Sequence, residues 1–375
     1  MTIHDSNTNA FFALIRAGLW TELEKWVSLV GSVDWDEVYL MASEQAVLGL
    51  VLAGIDCLPN EQRPPKVLLL QWIGEIQMLE QQNQAMNQFI AKLVEKMRHF
   101  GIYTLLVKGQ GIAQCYERPL WRCCGDVDFL LSEDNYNKAK EVLLPMASSS
   151  ETEEKYGKHL GMTIDDWTVE LHGTMRCGLS RKMDSVIDQT QKDCFCGGNV
   201  RSWMNGETHV FLPSPDNDII LVFTHFIKHF YKEGVGLRQI CDWCRLLWTY
   251  RETINVAKLK NRLRSAGLMT EWKAFSFFAV EYLGMPVEAM PLYESSSYWE
   301  CKAKKICDFV LEEGSASQSK DNSFYKTKPY LSRKLISFGR KCGTLKRIAK
   351  IFPKNTMAFF PYIVFNGIRS VVRGE

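Results

Sequence analysis

Asp126 and Asp128 stand two residues apart in Arg122-Cys123-Cys124-Gly125-Asp126-Val127-Asp128-Phe129-Leu130-Leu131, where every other residue after Gly125 is apolar. Such a run reads as a buried strand. Side chains alternate along a strand, so both carboxylates face one way while Val127 and Phe129 face the other. Neighbouring like charges are costly unless a cation lies between them. Mg²⁺ (or Mn²⁺) is the expected cation, because it prefers hard oxygen ligands and completes its shell with substrate phosphates. The pair therefore points to phosphoryl or nucleotidyl transfer from an NTP such as ATP.

Two further pieces belong with that pair. Lys108-Gly109-Gln110-Gly111 closes a short β-rich run, Ile102 to Val107. Gly109 lets backbone approach a phosphate closely, and Lys108 offers a positive charge there. Glu170 lies in Thr168-Val169-Glu170-Leu171-His172, where Val169 and Leu171 turn to the core and Glu170 shares a face with His172. A third carboxylate at that position is placed to deprotonate an attacking hydroxyl or to complete a two-metal site. Asp165 and Asp166 occupy an expected hairpin tip, where acids are ordinary turn residues.

Other chemical groups have competing structural readings. Arg122 either meets a phosphate or pairs with a nearby acid. Arg238 and Asp242, one turn apart, most simply form an intrahelical ion pair, with a phosphate contact by Arg238 as the alternative. His225 and His229 have a spacing that can bind zinc, yet Phe226 stands where a metalloprotease motif carries glutamate. A structural or substrate-lining role is expected for them. Cys241-x-x-Cys244 lacks a second cysteine pair at zinc-finger spacing, so core or surface thiols are expected.

The elements that must position these groups fall into three regions. Residues 1–97 have helical spacing, with Trp20, Leu23, Trp26 and Val27 and then Val38, Met41, Ala42 and Ala46 recurring at three and four. After a break at Pro59 to Pro65, the pattern from Val67 to Phe100 predicts one long helix or a tight helical pair. Residues 98–212 alternate strands and helices: a short helix at Ile112–Tyr116, the aspartate strand, a helix capped by Ser132, and strands at His159–Ile164 and Trp167–His172. Residues 213–375 return to the helical period, with helices at Ile219–Tyr231, Leu237–Tyr250, Val256–Ala266 and Trp272–Leu283. The polar Glu313–Ser323 stretch reads as a mobile loop. From Lys326 to Arg373 every charged residue is basic, interleaved with Phe352, Phe359, Phe360 and Phe365.

The chain of 375 residues is 46% hydrophobic and 23% charged, with a net charge of +2, which gives no global case for nucleic acid as a partner. No apolar run is long enough for a membrane span. The polar first residues lack the pattern of a secretory signal, so a cytoplasmic location and reduced thiols for the twelve cysteines are expected.

The order of strand, glycine turn, helix, Asp-x-Asp strand and later acidic strand resembles the DNA polymerase β-like nucleotidyltransferase superfamily. More narrowly, Leu106-Val107-Lys108-Gly109, Arg122-x-x-Gly125-Asp126-Val127-Asp128-Phe129-Leu130 and Glu170-Leu171-His172 look like the uncharacterised bacterial nucleotidyltransferase family with a Lys-Gly turn. His225 and Gly236-Leu237-Arg238-x-x-x-Asp242 fit it as well. The resemblance implies an α+β fold, a small mixed-sheet core flanked by N-terminal and C-terminal helical regions. It also implies that Asp126 and Asp128 hold Mg²⁺ against the triphosphate, with Glu170 as the third acid. The wider superfamily carries Gly-Ser or Gly-Gly at the turn; here Gly109-Gln110 leaves phosphate contact to Lys108 or backbone amides. The expected activity moves an NMP group from an NTP to an unidentified acceptor with release of pyrophosphate. The alternatives are a catalytically silent nucleotide-binding or scaffold protein and an RNA-modifying, toxin-like enzyme using the basic C-terminal stretch.

Overall fold

The computed structural model describes residues 5–20, 29, 31–154, 157–197, 199–232, 234–318 and 330–373. Helices α1 (Ser6–Leu19), α2 (Trp35–Glu44) and α3 (Leu48–Asp56) come first, followed by the long α4 (Lys66–His99). α1 begins where Asp5 accepts from the Thr8 amide at 2.8 Å, a standard N-cap. It packs tightly on α3: a Cβ at Gly18 would collide with the Leu50 carbonyl, and one at Gly54 with the Leu14 carbonyl. α4 is a single uninterrupted helix, buried along Trp72, Ile76, Met86, Phe89, Ile90, Leu93 and Met97, a helical stripe. Of the early apolar pattern, Leu23, Trp26 and Val27 lie outside the described residues.

The central sheet is built from β1 (Leu105–Val107), β2 (Asp126–Leu130), β3 (Ser149–Ser150), β4 (His159–Ile164) and β5 (Trp167–His172). Its order is β1-β2-β5-β4-β3, with β2 and β5 parallel and every other pairing antiparallel. The β4–β5 hairpin turns through Asp165 and Asp166 at φ of 48° and 67°, the left-handed pair that a two-residue primed turn requires. Between β1 and β2 the short helix α5 spans Gly109–Ala113, so it starts directly on the Lys-Gly turn rather than at Ile112. α6 (Glu133–Leu143) follows β2; Ser132 occupies its N-cap position without a side-chain capping bond, against expectation. α7 (Arg181–Cys196) and a separate hairpin, β6 (Val200–Asn205) with β7 (Thr208–Pro213), complete this part.

Alternation splits the sheet into two chemically distinct faces. Val127, Phe129, Val169, Leu171, Leu160 and Met162 bury against Met86, Phe89, Ile90 and Leu93 of α4 and Tyr136 and Leu143 of α6. The other face carries the polar side chains described below.

The C-terminal helices are α8 (Pro215–Lys232), α9 (Leu237–Thr249), α10 (Val256–Ala266), α11 (Met269–Glu281), α12 (Ser297–Gln318), α13 (Tyr330–Ala349) and α14 (Pro353–Arg373). They share one apolar cluster with the N-terminal helices, which includes Phe12, Leu14, Trp20, Phe223, Trp243, Trp272 and Phe309. Trp20 Nε1 donates to the Leu283 carbonyl at 2.6 Å, and Phe12 meets Tyr282 at 5.7 Å between ring centroids. Residues 313–318 are helical, which corrects the loop expected there; the remainder of that stretch, 319–323, lies outside the described residues. Phe352 and Phe359 are buried against Phe230 and Tyr231, so the basic C-terminal stretch is docked through its aromatics, leaving Phe360 and Phe365 exposed. No described helix is long and apolar enough to cross a membrane. The fold is α+β.

Candidate active site

The polar face of the sheet gathers its groups from four adjacent strands, β1, β2, β5 and β4. Parallel pairing sets Asp128 beside Glu170 and Asp126 beside Thr168. Antiparallel pairing sets Val107 beside Asp128, so the residue after it, Lys108, leaves β1 next to the aspartates. Lys108 takes φ 58° and ψ −148°, an uncommon conformation for a residue with a Cβ, which costs about 1–3 kcal/mol. Gly109 follows at φ 39°, pressed so closely on β2 that a Cβ would sit 3.2 Å from both the Asp126 carbonyl and Cys124 Sγ. This strained turn sends the Lys108 ammonium back to Asp128 Oδ1 at 2.7 Å.

Asp128 is buried, and the same oxygen also meets His172 Nε2 at 2.7 Å. His172 Nε2 lies 3.3 Å from Glu170 Oε2, and His159 Nε2 approaches that oxygen at 3.3 Å from the neighbouring strand. The two imidazole rings are 4.8 Å apart. Burial by itself would raise the Glu170 carboxyl, but its bonds from His159 and His172, with the Lys108 charge, outweigh that and hold it well below the usual carboxylate range. Asp126 opens to solvent at the end of β2, yet desolvation by the protein packed around it pushes its carboxyl up. Repulsion from Asp128 and Glu170 adds to the rise, and Lys108 and Arg238 only partly offset it. His225, on α8, is held well below its ordinary value, by burial first and then by the charge of Lys108, by His229 and by Lys228. Its Nε2 is 3.0 Å from that of His229.

Other expected groups go elsewhere. Of the two roles expected for Arg122, the structure shows the acid pairing: its Nε and Nη2 grip Asp242 at 2.8 and 2.6 Å, and Tyr116 adds a hydroxyl bond to Asp242 at 2.8 Å. This buried pairing takes Asp242 from Arg238, which instead donates to the Cys123 carbonyl at 2.8 Å. The intrahelical Arg238–Asp242 pair is therefore replaced by a bridge from α9 to the entry of β2. Gln110 is buried and donates to Asn83 Oδ1 at 2.7 Å, so its side chain leaves the acidic face and only its backbone remains at the turn. A small cavity between α3 and α9, lined by Trp121, Arg122, Arg238, Arg245 and Glu117 among others, includes none of Asp126, Asp128 and Glu170. All twelve cysteines are free, and burial pushes the Cys241 and Cys244 thiols up, as fits core residues.

His159 is the member of this cluster that sequence reasoning overlooked. The signal was present in the Asp165-Asp166 tip: a two-residue turn pairs Ile164 with Trp167 and, counting back, His159 with His172.

A family model described as an uncharacterised nucleotidyltransferase matches residues 31–284, which takes in the whole sheet and runs from just before α2 to α11. No curated protein and no solved structure matches the chain.

Proposed function

The chain belongs to the uncharacterised nucleotidyltransferase family, and from that premise we propose a divalent-metal-dependent enzyme that moves an NMP group from an NTP to an acceptor hydroxyl or phosphate. The observation that carries this reading is the convergence of Asp126, Asp128 and Glu170 on one face of two parallel strands, next to Lys108. The donor set fits Mg²⁺ or Mn²⁺: the oxygens are hard, Asp126 feels the repulsion of Asp128 and Glu170, and the Lys108 amine already sits against Asp128. Asp126 and Asp128 are the residues that would hold the ion. When bound, it would polarise the α-phosphoryl group and offset the charge of the triphosphate.

The protein's own groups supply the rest. Lys108 carries a charge that can swing from Asp128 to a phosphate oxygen as the nucleotide enters, and Gly109 keeps the turn thin enough for that approach. Glu170 is held ionised by His159 and His172, so it is a weak base. Its part is to orient the acceptor hydroxyl by accepting its hydrogen bond, more than to strip its proton. Arg122 acts on positioning, through the buried pair that fixes α9 against the start of β2.

The test is pyrophosphate release by the full chain with each NTP and Mg²⁺, alongside labelling of lysate molecules by the same NTPs. Wild-type release that disappears in Asp126→Asn and Asp128→Asn supports the reading. Tight NTP binding with no release and no labelled product supports a second reading, a silent nucleotide-binding protein. Two observations favour that rival: Asp128 Oδ1 already has two partners, and the turn offers Gln110, facing inward, in place of a hydroxyl.

A further inference from the structure

Two imidazoles and a carboxylate meet on the β4–β5 side of the acidic face, and the reading above gives the imidazoles no direct chemistry. His159 and His172 are directly opposite each other in the hairpin, and Glu170 stands two residues before His172 on the same face. Glu170 Oε2 is 3.3 Å from each Nε2, and the three ligand atoms all lie within 4.8 Å of one another. A tetrahedral ion with bonds of about 2.0–2.1 Å to nitrogen and oxygen separates its ligand atoms by about 3.3–3.4 Å. Both edges to Glu170 have that length.

The geometry points to a second cation site, His159–Glu170–His172, which takes a first-row transition ion such as Zn²⁺ or Co²⁺ beside the oxygen-only aspartate pair. Imidazole nitrogen suits such ions, whereas Mg²⁺ favours an all-oxygen shell, so the two neighbouring sites select different metals by ligand type. His172 Nε2 also bonds Asp128 Oδ1 at 2.7 Å. Loading the second site would turn that nitrogen to the metal and leave the Asp128 oxygen to Lys108 or to an incoming ion. This coupling rests on the nucleotidyl-transfer reading; the site itself does not.

The experiment is a Co²⁺ titration of the metal-stripped full chain, followed by the visible absorption of tetrahedral cobalt. Wild type, His159→Gln and Asp126→Asn are compared, with far-ultraviolet circular dichroism confirming that each is folded. His159 is the ligand chosen for replacement because its side chain is 28% exposed, against 10% for His172. The expected result is a saturable band in wild type that persists in Asp126→Asn and whose apparent affinity falls at least about ten-fold in His159→Gln. A band unchanged in His159→Gln, a band lost in Asp126→Asn, or thiolate charge-transfer absorption alone would each overturn the proposal. Calorimetry of Mg²⁺–ATP binding to the same proteins tests the nucleotide reading separately, since its failure leaves the cobalt band untouched.

Discussion

Replacing Asp242 by alanine should be among the most damaging single changes to this fold, and its cost follows from the bonds it breaks. Asp242 is 4% exposed and accepts from Arg122 Nε, Arg122 Nη2 and the Tyr116 hydroxyl. Arg122 is itself buried, with its side chain 6% exposed. Its guanidinium stays ionised, so Asp242→Ala leaves a buried charge without its counter-ion, a loss of about 3–5 kcal/mol. Removing both charges with residues of similar volume avoids that penalty. In Arg122→Met/Asp242→Leu the main residual cost is the stranded Tyr116 hydroxyl, about 1–3 kcal/mol. Urea unfolding of the single and double variants should therefore show the double recovering roughly 2 kcal/mol over Asp242→Ala. A double variant no more stable than the single, or a single variant within about 1 kcal/mol of wild type, would refute the argument that desolvated charge governs this contact. The same pair anchors the peptide before β2, where Arg122 Nη1 and Arg238 both donate to the Cys123 carbonyl. Folded protein from the single variant should thus also bind nucleotide more weakly.

Glu271 gives a pH prediction with a definite sign. Burial, only partly countered by bonds from Tyr231 and Asn355, raises its carboxyl above the ordinary 4.5, so the native state holds the proton more tightly than the unfolded chain. The contribution of Glu271 to stability is then fully present at acid pH and is lost as pH rises from 4.5 through the native value. Glu271→Gln mimics the neutral acid, and its stability relative to wild type should grow between about pH 4 and about pH 8 in urea titrations; a constant difference would count against the linkage. Gly109→Ala should weaken both fold and nucleotide binding, because φ 39° and two 3.2 Å contacts leave no room for a Cβ. The conformational part alone is about 1–2 kcal/mol, and a neutral thermal midpoint would show the turn to be more pliant than drawn.

The most local features of this protein were legible in its residues. Period-two alternation sorted Asp126 and Asp128 from Val127 and Phe129, and the structure keeps that division, with Val127 and Phe129 packed on α4. β4 and β5 have the bounds that the apolar pattern and the Asp165-Asp166 tip suggested, and α10 runs over Val256–Ala266 as its spacing indicated. Where chain-end chemistry was weak the reading slipped: α5 begins at Gly109 because the carbonyl of the strained Lys108 already accepts from Ile112 N at 3.1 Å.

Turn geometry and side-chain periodicity are set within a few residues, so the order of amino acids alone determined β2, β4 and β5, the turn between β4 and β5 and the shared face of the two aspartates, whereas β3 and the β6–β7 hairpin carried no comparable signal. Which strand lies beside which, and which acid captures which arginine, depends on desolvation and packing across the whole molecule. Only the tertiary structure decided that β2 runs parallel to β5, placing Glu170 beside Asp128. It likewise decided that Arg122 reaches an acid 120 residues away while Arg238, one turn from that acid, binds a carbonyl. The buried Arg122 guanidinium is matched by the buried Asp242 carboxylate, whereas the half-buried Arg238 is met by a backbone carbonyl, and that difference in solvation exists only once the chain has closed around them.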